Sequence, residues 1–343
     1  MTEERPTPRA AERTAPTMRA MAQDRYGDPA EVLSLVEVPV PEVGPETVLV
    51  RVEAISLNAY DWHMVAASPS FIRLAGAGFS KPKHPIAGAD LAGVVEAVGD
   101  AVTEFAPGDR VVGWHAGTAA EYVAATERTL VPVPKDVDLH QAAAVPMAGM
   151  TALQGLRDHG GVDAGSNVLI LGASGGVGQF VVQIAKALGA RVTGVCGTHN
   201  VETVRALGAD RVVDYSTTDV HSLGDRFDVV VHVGGEYPLR KLRPIMTDDG
   251  TLVLVGSDEG GSLLGPARFL FGQVVRSWFT SQSVAQFTAT NRKADLEVLV
   301  GMLADGTLRV AIDHVSPLAE TGREIAYLRE GHARGKVIIE VGA

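Results

Sequence analysis

Apolar and polar positions follow two different rhythms along this chain, and the change falls near residue 139. Before it, Val48-Leu-Val-Arg-Val-Glu-Ala-Ile55 alternates apolar and polar residues, as a half-buried strand does. Ala92–Gly99 and Asp109–Gly113 are further short strands, divided by the turn signals Gly44-Pro45, Gly99-Asp100 and Pro107-Gly-Asp109. Many short strands with frequent turns predict a partly closed, β-rich barrel. After residue 139 nearly continuous apolar strands alternate with amphipathic helices. A helix over Gln141–Asp158 precedes the strands Asn167–Leu171, Arg191–Val195, Arg211–Asp214, Asp228–Val233 and Gly250–Gly256, with helices over Gln179–Leu188 and Val201–Leu207. That pattern predicts a parallel sheet covered on both faces, the doubly wound α/β fold. Beyond Asn291, helices over Ala294–Ala304 and Glu320–Glu330 alternate with strands over Leu308–Ile312 and Lys336–Val341. The expected division is a polar leader over 1–17, a barrel domain from 18–138 and 289–343, and a Rossmann domain over 139–288.

The strand-to-helix junction after Leu171 carries the sharpest chemistry. Gly172-Ala-Ser-Gly-Gly-Val-Gly178 puts four glycines in seven residues where a strand ends and a helix begins. Gly172 permits the turn, Gly175 and Gly176 let backbone approach a pyrophosphate, and Gly178 allows the helix to pack closely on the strand. Ser174 and Val177 complete the cradle, and the helix end directs its N–H groups at the anion. An NAD site usually places a carboxylate at the end of the second strand. Here Val192–Asn200 holds none, and the first acid is Glu202. Thr198, His199 and Asn200 are therefore read as donors to a 2′-phosphate, which predicts NADPH as cofactor. Tyr215, Lys336 or Arg334 are possible supports, although a solvated charge is the simpler role for the two cations. Val233, Gly234, Val255 and Gly256 end strands at the carboxyl edge, where such sheets bind ligands.

Composition narrows the field. Hydrophobic residues make up 46% of the 343, charged residues 21%, and the formal net charge is -11. An acidic surface without a Lys/Arg cluster speaks against nucleic-acid binding. No uninterrupted apolar run reaches ~20 residues, so no membrane span is expected. Leu263–Phe279, interrupted by Pro266, Arg268 and Arg276, reads as a buried helix or a lid, with a membrane-surface helix as the alternative. The single cysteine, Cys196, excludes a disulfide framework and fits a reducing, cytoplasmic location; it reads as a buried strand-end residue.

Several segments together resemble the zinc-free medium-chain dehydrogenase/reductase superfamily, in particular its quinone oxidoreductase (zeta-crystallin-like) group. They are Pro85–Gly99, Gly108–Gly113, Ala143–Ala152, the glycine loop, Leu207–Tyr215 and Gly331–Lys336. The resemblance implies a GroES-like (chaperonin-10-like) barrel formed by both chain ends around a Rossmann domain, and a homodimer joined near Ser281–Thr288. Zinc relatives use a Cys, a His and a later Cys as ligands. The first two positions resemble Asn58 and Ala89 here, and the third has no Cys. A tetrahedral zinc site is not expected, and His63, His84 and His115 read as surface or satisfied histidines.

Without a metal to polarise an alcohol, reduction of a quinone or an α,β-unsaturated carbonyl is the expected chemistry. The small-molecule substrate must be held against the nicotinamide while a donor meets the charge on its oxygen. Asn58 is the expected polar group there, its simpler role being to bond its own loop. Tyr60 is a candidate proton donor, with packing as its simpler role. Asp61 and Trp62 are expected in the pocket floor, and Asp90 in a structural hydrogen bond. Thr151 resembles a threonine on the nicotinamide side. Two other readings remain open: a weakly catalytic NADPH-binding sensor or structural protein, and a zinc-independent alcohol dehydrogenase.

Overall fold

The computed structural model describes residues 16–68, 70–73, 77–234, 237–255, 281–331 and 333–342. Six parallel strands form one sheet in the spatial order Arg211–Asp214, Arg191–Cys196, Asn167–Leu171, Phe227–His232, Met246–Val255, Ser283–Phe287. The first strand in sequence lies in the middle and the order runs outward both ways, which is the doubly wound dinucleotide topology. The middle strand shows why. Val168-Leu-Ile-Leu171 is entirely buried, as a strand covered by helices on both faces must be.

The second sheet joins the two ends of the chain. Val48–Ser56 pairs with Asp90–Val98 and Tyr122–Ala125, and also with Lys336–Glu340 from the far end. Lys336–Glu340 pairs in parallel with Ile312–Pro317, and Arg110–Trp114 and Leu130–Pro132 extend the other side. Val48–Ser56 was expected to be half-buried. Instead it is buried along its length except at Arg51 and Glu53, because the barrel core and the adjoining helix Leu139–Ala143 cover both of its faces. No helix among the described residues is long and apolar enough to cross a membrane.

Two expected elements differ. The helix over Gln141–Asp158 is two helices, Leu139–Ala143 and Pro146–Gln154, followed by a wider turn over Gly155–His159. Pro146 has no N–H to continue a helix and suits the first position of a new one. The strand over Leu308–Ile312 is not a strand; the ladder begins at Ile312. Three glutamines replace the missing partner. Gln183 accepts from Arg309 N–H (2.8 Å) and donates to its carbonyl (2.9 Å). Gln141 does the same at Val310 (2.9 and 3.1 Å), and Gln179 at Ala311 (2.6 and 3.2 Å). Each amide side chain presents one donor and one acceptor, as a neighbouring strand would. The crossing from Rossmann sheet to barrel is thus pinned to the helix that follows the glycine loop.

Leader residues 1–15, Gly256 and the Leu263–Phe279 segment lie outside the described residues.

Candidate active site

The glycine loop is built as its spacing predicts. Gly172 has φ +84°, a conformation costly for any residue with a Cβ. A Cβ on Gly178 would lie 2.0 Å from the Gly172 carbonyl oxygen, so only glycine lets the helix Gly178–Ala187 start this close to its strand. Gly172 and Ala173 donate to the Val195 carbonyl, and Gly175 to that of Gly172. The N–H groups of Ser174, Gly176, Val177 and Gly178 donate to no acceptor among the described residues. Four unspent donors at the start of a ten-residue helix form a cradle for an anion. A Cβ on Gly234, beside Gly172 at the next strand end, would meet nothing within 4 Å among the described residues. Val233 and Gly234 both donate to the Leu171 carbonyl, so these strand ends share one edge with the loop; Val255 ends the strand beyond.

Opposite this cradle lies a buried polar cluster drawn from four separate segments. Lys336 is 2% exposed, against the expectation of a solvated charge. Its stem runs along the loop, with Cδ 3.4 Å from where a Cβ on Gly176 would sit. Its ammonium donates to Asn58 Oδ1 (2.5 Å) and the Leu57 carbonyl (3.0 Å). Asn58 Nδ2 donates to Asp90 Oδ2 (2.9 Å) and the Ser56 carbonyl (3.2 Å). Asp90 Oδ1 accepts from Met147 N–H (3.0 Å) at the start of the helix that carries Thr151. Asp61 Oδ2 accepts from Asn58 N–H (2.7 Å), closing the first turn of Ala59–Ala66.

Burial governs the charges. It raises the Asp61 carboxyl to about 7, partly offset by the Asn58 N–H, while Asp90 pushes it up and Lys336 pulls it down. Burial also raises Asp90 to about 6, against the pull of Lys336, Asn58 and Met147. Burial lowers the Lys336 ammonium, and Asp90 and then Asp61 hold it up.

The other expected residues fall as follows. Asn58 does bond its own loop, and both its amide hydrogens are spent, so the donor with a hydrogen left is Lys336. Tyr60 is 39% exposed, and its hydroxyl has no partner among the described residues. Asp61 caps its helix. Trp62 stacks on His63, packs on the barrel core and lies under Arg329. Thr151 donates to the Met147 carbonyl (2.7 Å), one turn back. His63 and His115 each contact a nearby backbone carbonyl through Nδ1, and His84 is exposed. Cys196 is buried, and burial raises its thiol to about 11. No group of three His, Cys, Asp or Glu gathers among the described residues.

At the expected 2′-phosphate subsite the fold adds an acid. Thr198 and His199 are exposed on the turn Thr198–Asn200, but the Thr198 side chain bonds the carboxylate of Asp214. Asp214 lies opposite Cys196 in the neighbouring strand, so the fold returns the acid that Val192–Asn200 lacks. That bond, helped by Ser216, holds the Asp214 carboxyl below its usual range. The Tyr215 hydroxyl lies against Gly197, 3.0 Å from where a Cβ would sit. Arg334 is exposed, and Lys336 is committed to Asn58 instead of this subsite. The Asp214 placement follows from the strand order, and Gln179 and Gln183 stand four apart on one helix face; strand order and that spacing are the signals in the sequence that point to them.

A doubly wound sheet whose glycine loop ends in free donors, closed by a barrel that supplies a buried lysine, defines an oxidoreductase that takes a pyridine nucleotide. Residues 44–135 match the alcohol dehydrogenase GroES-like domain and 207–339 the zinc-binding dehydrogenase family. The chain is 34% identical over 337 residues to the chloroplast envelope quinone oxidoreductase homolog of Arabidopsis thaliana, covering 94% of this chain and 98% of the relative. It is 31% identical over 338 residues to the chloroplastic NADPH-dependent alkenal/one oxidoreductase of the same plant, covering 94% and 79%. The quinone oxidoreductase structure from Coxiella burnetii matches with TM-score 0.81 at 28% identity, covering 95% of this chain and all of that one. The chain belongs to the quinone oxidoreductase group of the medium-chain dehydrogenase/reductase superfamily.

Proposed function

We propose that the protein is an NADPH-dependent reductase that delivers hydride to quinones or α,β-unsaturated carbonyls without zinc. The observation that carries this reading is the pairing of the free loop N–H groups with the buried Lys336 whose stem lies beside them. Ser174, Gly176 and Val177 bind the pyrophosphate, with the Lys336 ammonium as its counter-charge. When bound, the nicotinamide supplies the hydride. Asn58 and Thr151 border the reacting centre, and Val233, Gly234 and Val255 form the strand edge beneath it. Asn58 and Ala89 at the positions resembling metal ligands supply no thiolate or imidazole, which supports chemistry without zinc. With Tyr60 open to solvent, water serves as the proton source.

Support for NADPH over NADH comes from Tyr215, His199 and Asn200 at the mouth of the subsite, and from the named activity of the alkenal/one relative. Asp214 acts in the opposite direction. The edge strand Ser283–Phe287 has one neighbour among the described residues, which supports pairing with a second copy. The lone cysteine supports a cytoplasmic location.

The test is NADPH oxidation across quinones, enones, enals and nitroalkenes, with NADH in parallel. Turnover of at least one class with NADPH is expected. Tight NADPH binding with no oxidation anywhere on the panel would overturn the enzymatic reading.

A further inference from the structure

Asn58 can present either end of its amide to Lys336, since the two ends have nearly the same shape. What chooses the oxygen is Asp90. An ionised carboxylate only accepts, so the Asn58 NH₂ must face Asp90 Oδ2 at 2.9 Å, and Oδ1 is then left for the ammonium at 2.5 Å. Asp90 cannot swing away, because its other oxygen is held by Met147 N–H at 3.0 Å. The whole chain of contacts is buried.

We propose that Asp90 is a positioning residue for cofactor binding: through Asn58 it keeps the Lys336 ammonium charged and held in place, with the lysine stem along the glycine loop. This rests on the reading that Lys336 meets the pyrophosphate. The physical need is plain. A buried ammonium without a counter-charge sheds its proton, and a neutral amine no longer attracts a diphosphate. The titratable groups that face Lys336 are Asp90 and Asp61, and Asp61 in turn faces Tyr60. Asp61 is the weaker support, because it bonds the Asn58 backbone N–H and not the side-chain amide that meets Lys336. Asp90 therefore carries most of the counter-charge near neutrality.

The experiment measures NADPH binding to the purified protein by cofactor fluorescence between pH 7 and 10, with no substrate present. Lys336→Met is expected to weaken binding about tenfold or more at pH 7. Wild-type affinity for Lys336→Met would overturn the pyrophosphate reading itself. In Asp90→Asn, binding at pH 7 is expected to weaken less. Its loss of affinity with rising pH should begin at least about one pH unit below that of wild type. Adding Lys336→Arg to Asp90→Asn should flatten the profile, because a guanidinium stays charged without help. If Lys336→Met weakens binding while Asp90→Asn follows the wild-type profile at every pH, the positioning role is overturned. Should Asp90→Asn fail to fold, Asn58→Ala cuts the same bridge. It is expected to move the profile in the same direction, and an unmoved profile there also overturns the proposal.

Discussion

The glycine loop and the Lys336 cluster lie side by side but are made in opposite ways. The loop is one run of seven residues whose backbone donors are left unspent. The cluster draws Asn58, Asp61, Asp90 and Lys336 from segments up to 279 residues apart, as the Lys336–Leu57 bond shows, and most of its polar atoms are paired. An unsatisfied donor is tolerable where an anion will occupy it, whereas a buried charge with no partner is not tolerable at any time. The difference shows where each part is vulnerable. The loop depends on the absence of side chains, and the cluster on the presence of all of its members.

The sharpest way to break this contrast is within the loop. Gly178→Ala puts a Cβ 2.0 Å from the Gly172 carbonyl, so the helix must move. A loss of NADPH affinity of about a hundredfold and a lower melting temperature are expected. Gly175→Ala meets only one atom, at 3.4 Å, so its melting temperature should stay near wild type while affinity falls. If both variants melt alike, the assigned roles of the two glycines are wrong.

The next effect lies in the cluster. Asp61 is raised to about 7 in the folded protein, so folding favours its protonated form. Its contribution to stability is complete below the ordinary aspartate range and is lost as pH rises through about 7. Wild type should lose on the order of 3 kcal/mol of stability from this carboxyl between pH 4 and 7. Asp61→Asn should flatten that part of the profile in urea melts. An equally steep fall in Asp61→Asn would assign the dependence to other groups, Asp90 first.

Gln179→Ala removes both bonds to Ala311, the residue whose carbonyl also accepts Lys336 N–H at 2.9 Å. A cost of about 1–3 kcal/mol is expected, measured by denaturant unfolding. A larger change in NADPH affinity than in stability would show that the clamp serves the cluster more than the fold. The smallest effect is at Asp214. Asp214→Asn removes an exposed, screened charge near the adenosine end, and the NADPH-to-NADH affinity ratio should rise by only about threefold. No change in the ratio would place the 2′-phosphate elsewhere.

Much of the architecture was legible from periodicity. Asn167–Leu171 and Arg211–Asp214 have the bounds that their apolar runs and flanking turns imply. The strand over Leu308–Ile312 failed because its apolar residues are buried without a ladder. Gln141, Gln179 and Gln183 satisfy that backbone from other parts of the chain. The region after Val195 shows a related effect: a parallel sheet sets a neighbouring strand's end beside it, and Asp214 comes with that strand.

The sequence by itself determined the glycine cradle, because a turn of positive φ, a close helix start and free N–H groups are properties of consecutive residues. It also determined the alternation that makes a doubly wound sheet beside a barrel. Only the tertiary structure decided that Lys336 is buried beside the cradle and that Asn58 is bound at both ends. The reason is physical. Burial and counter-charge depend on distance in space, and no periodicity along the chain places residue 336 within hydrogen-bonding reach of residue 58.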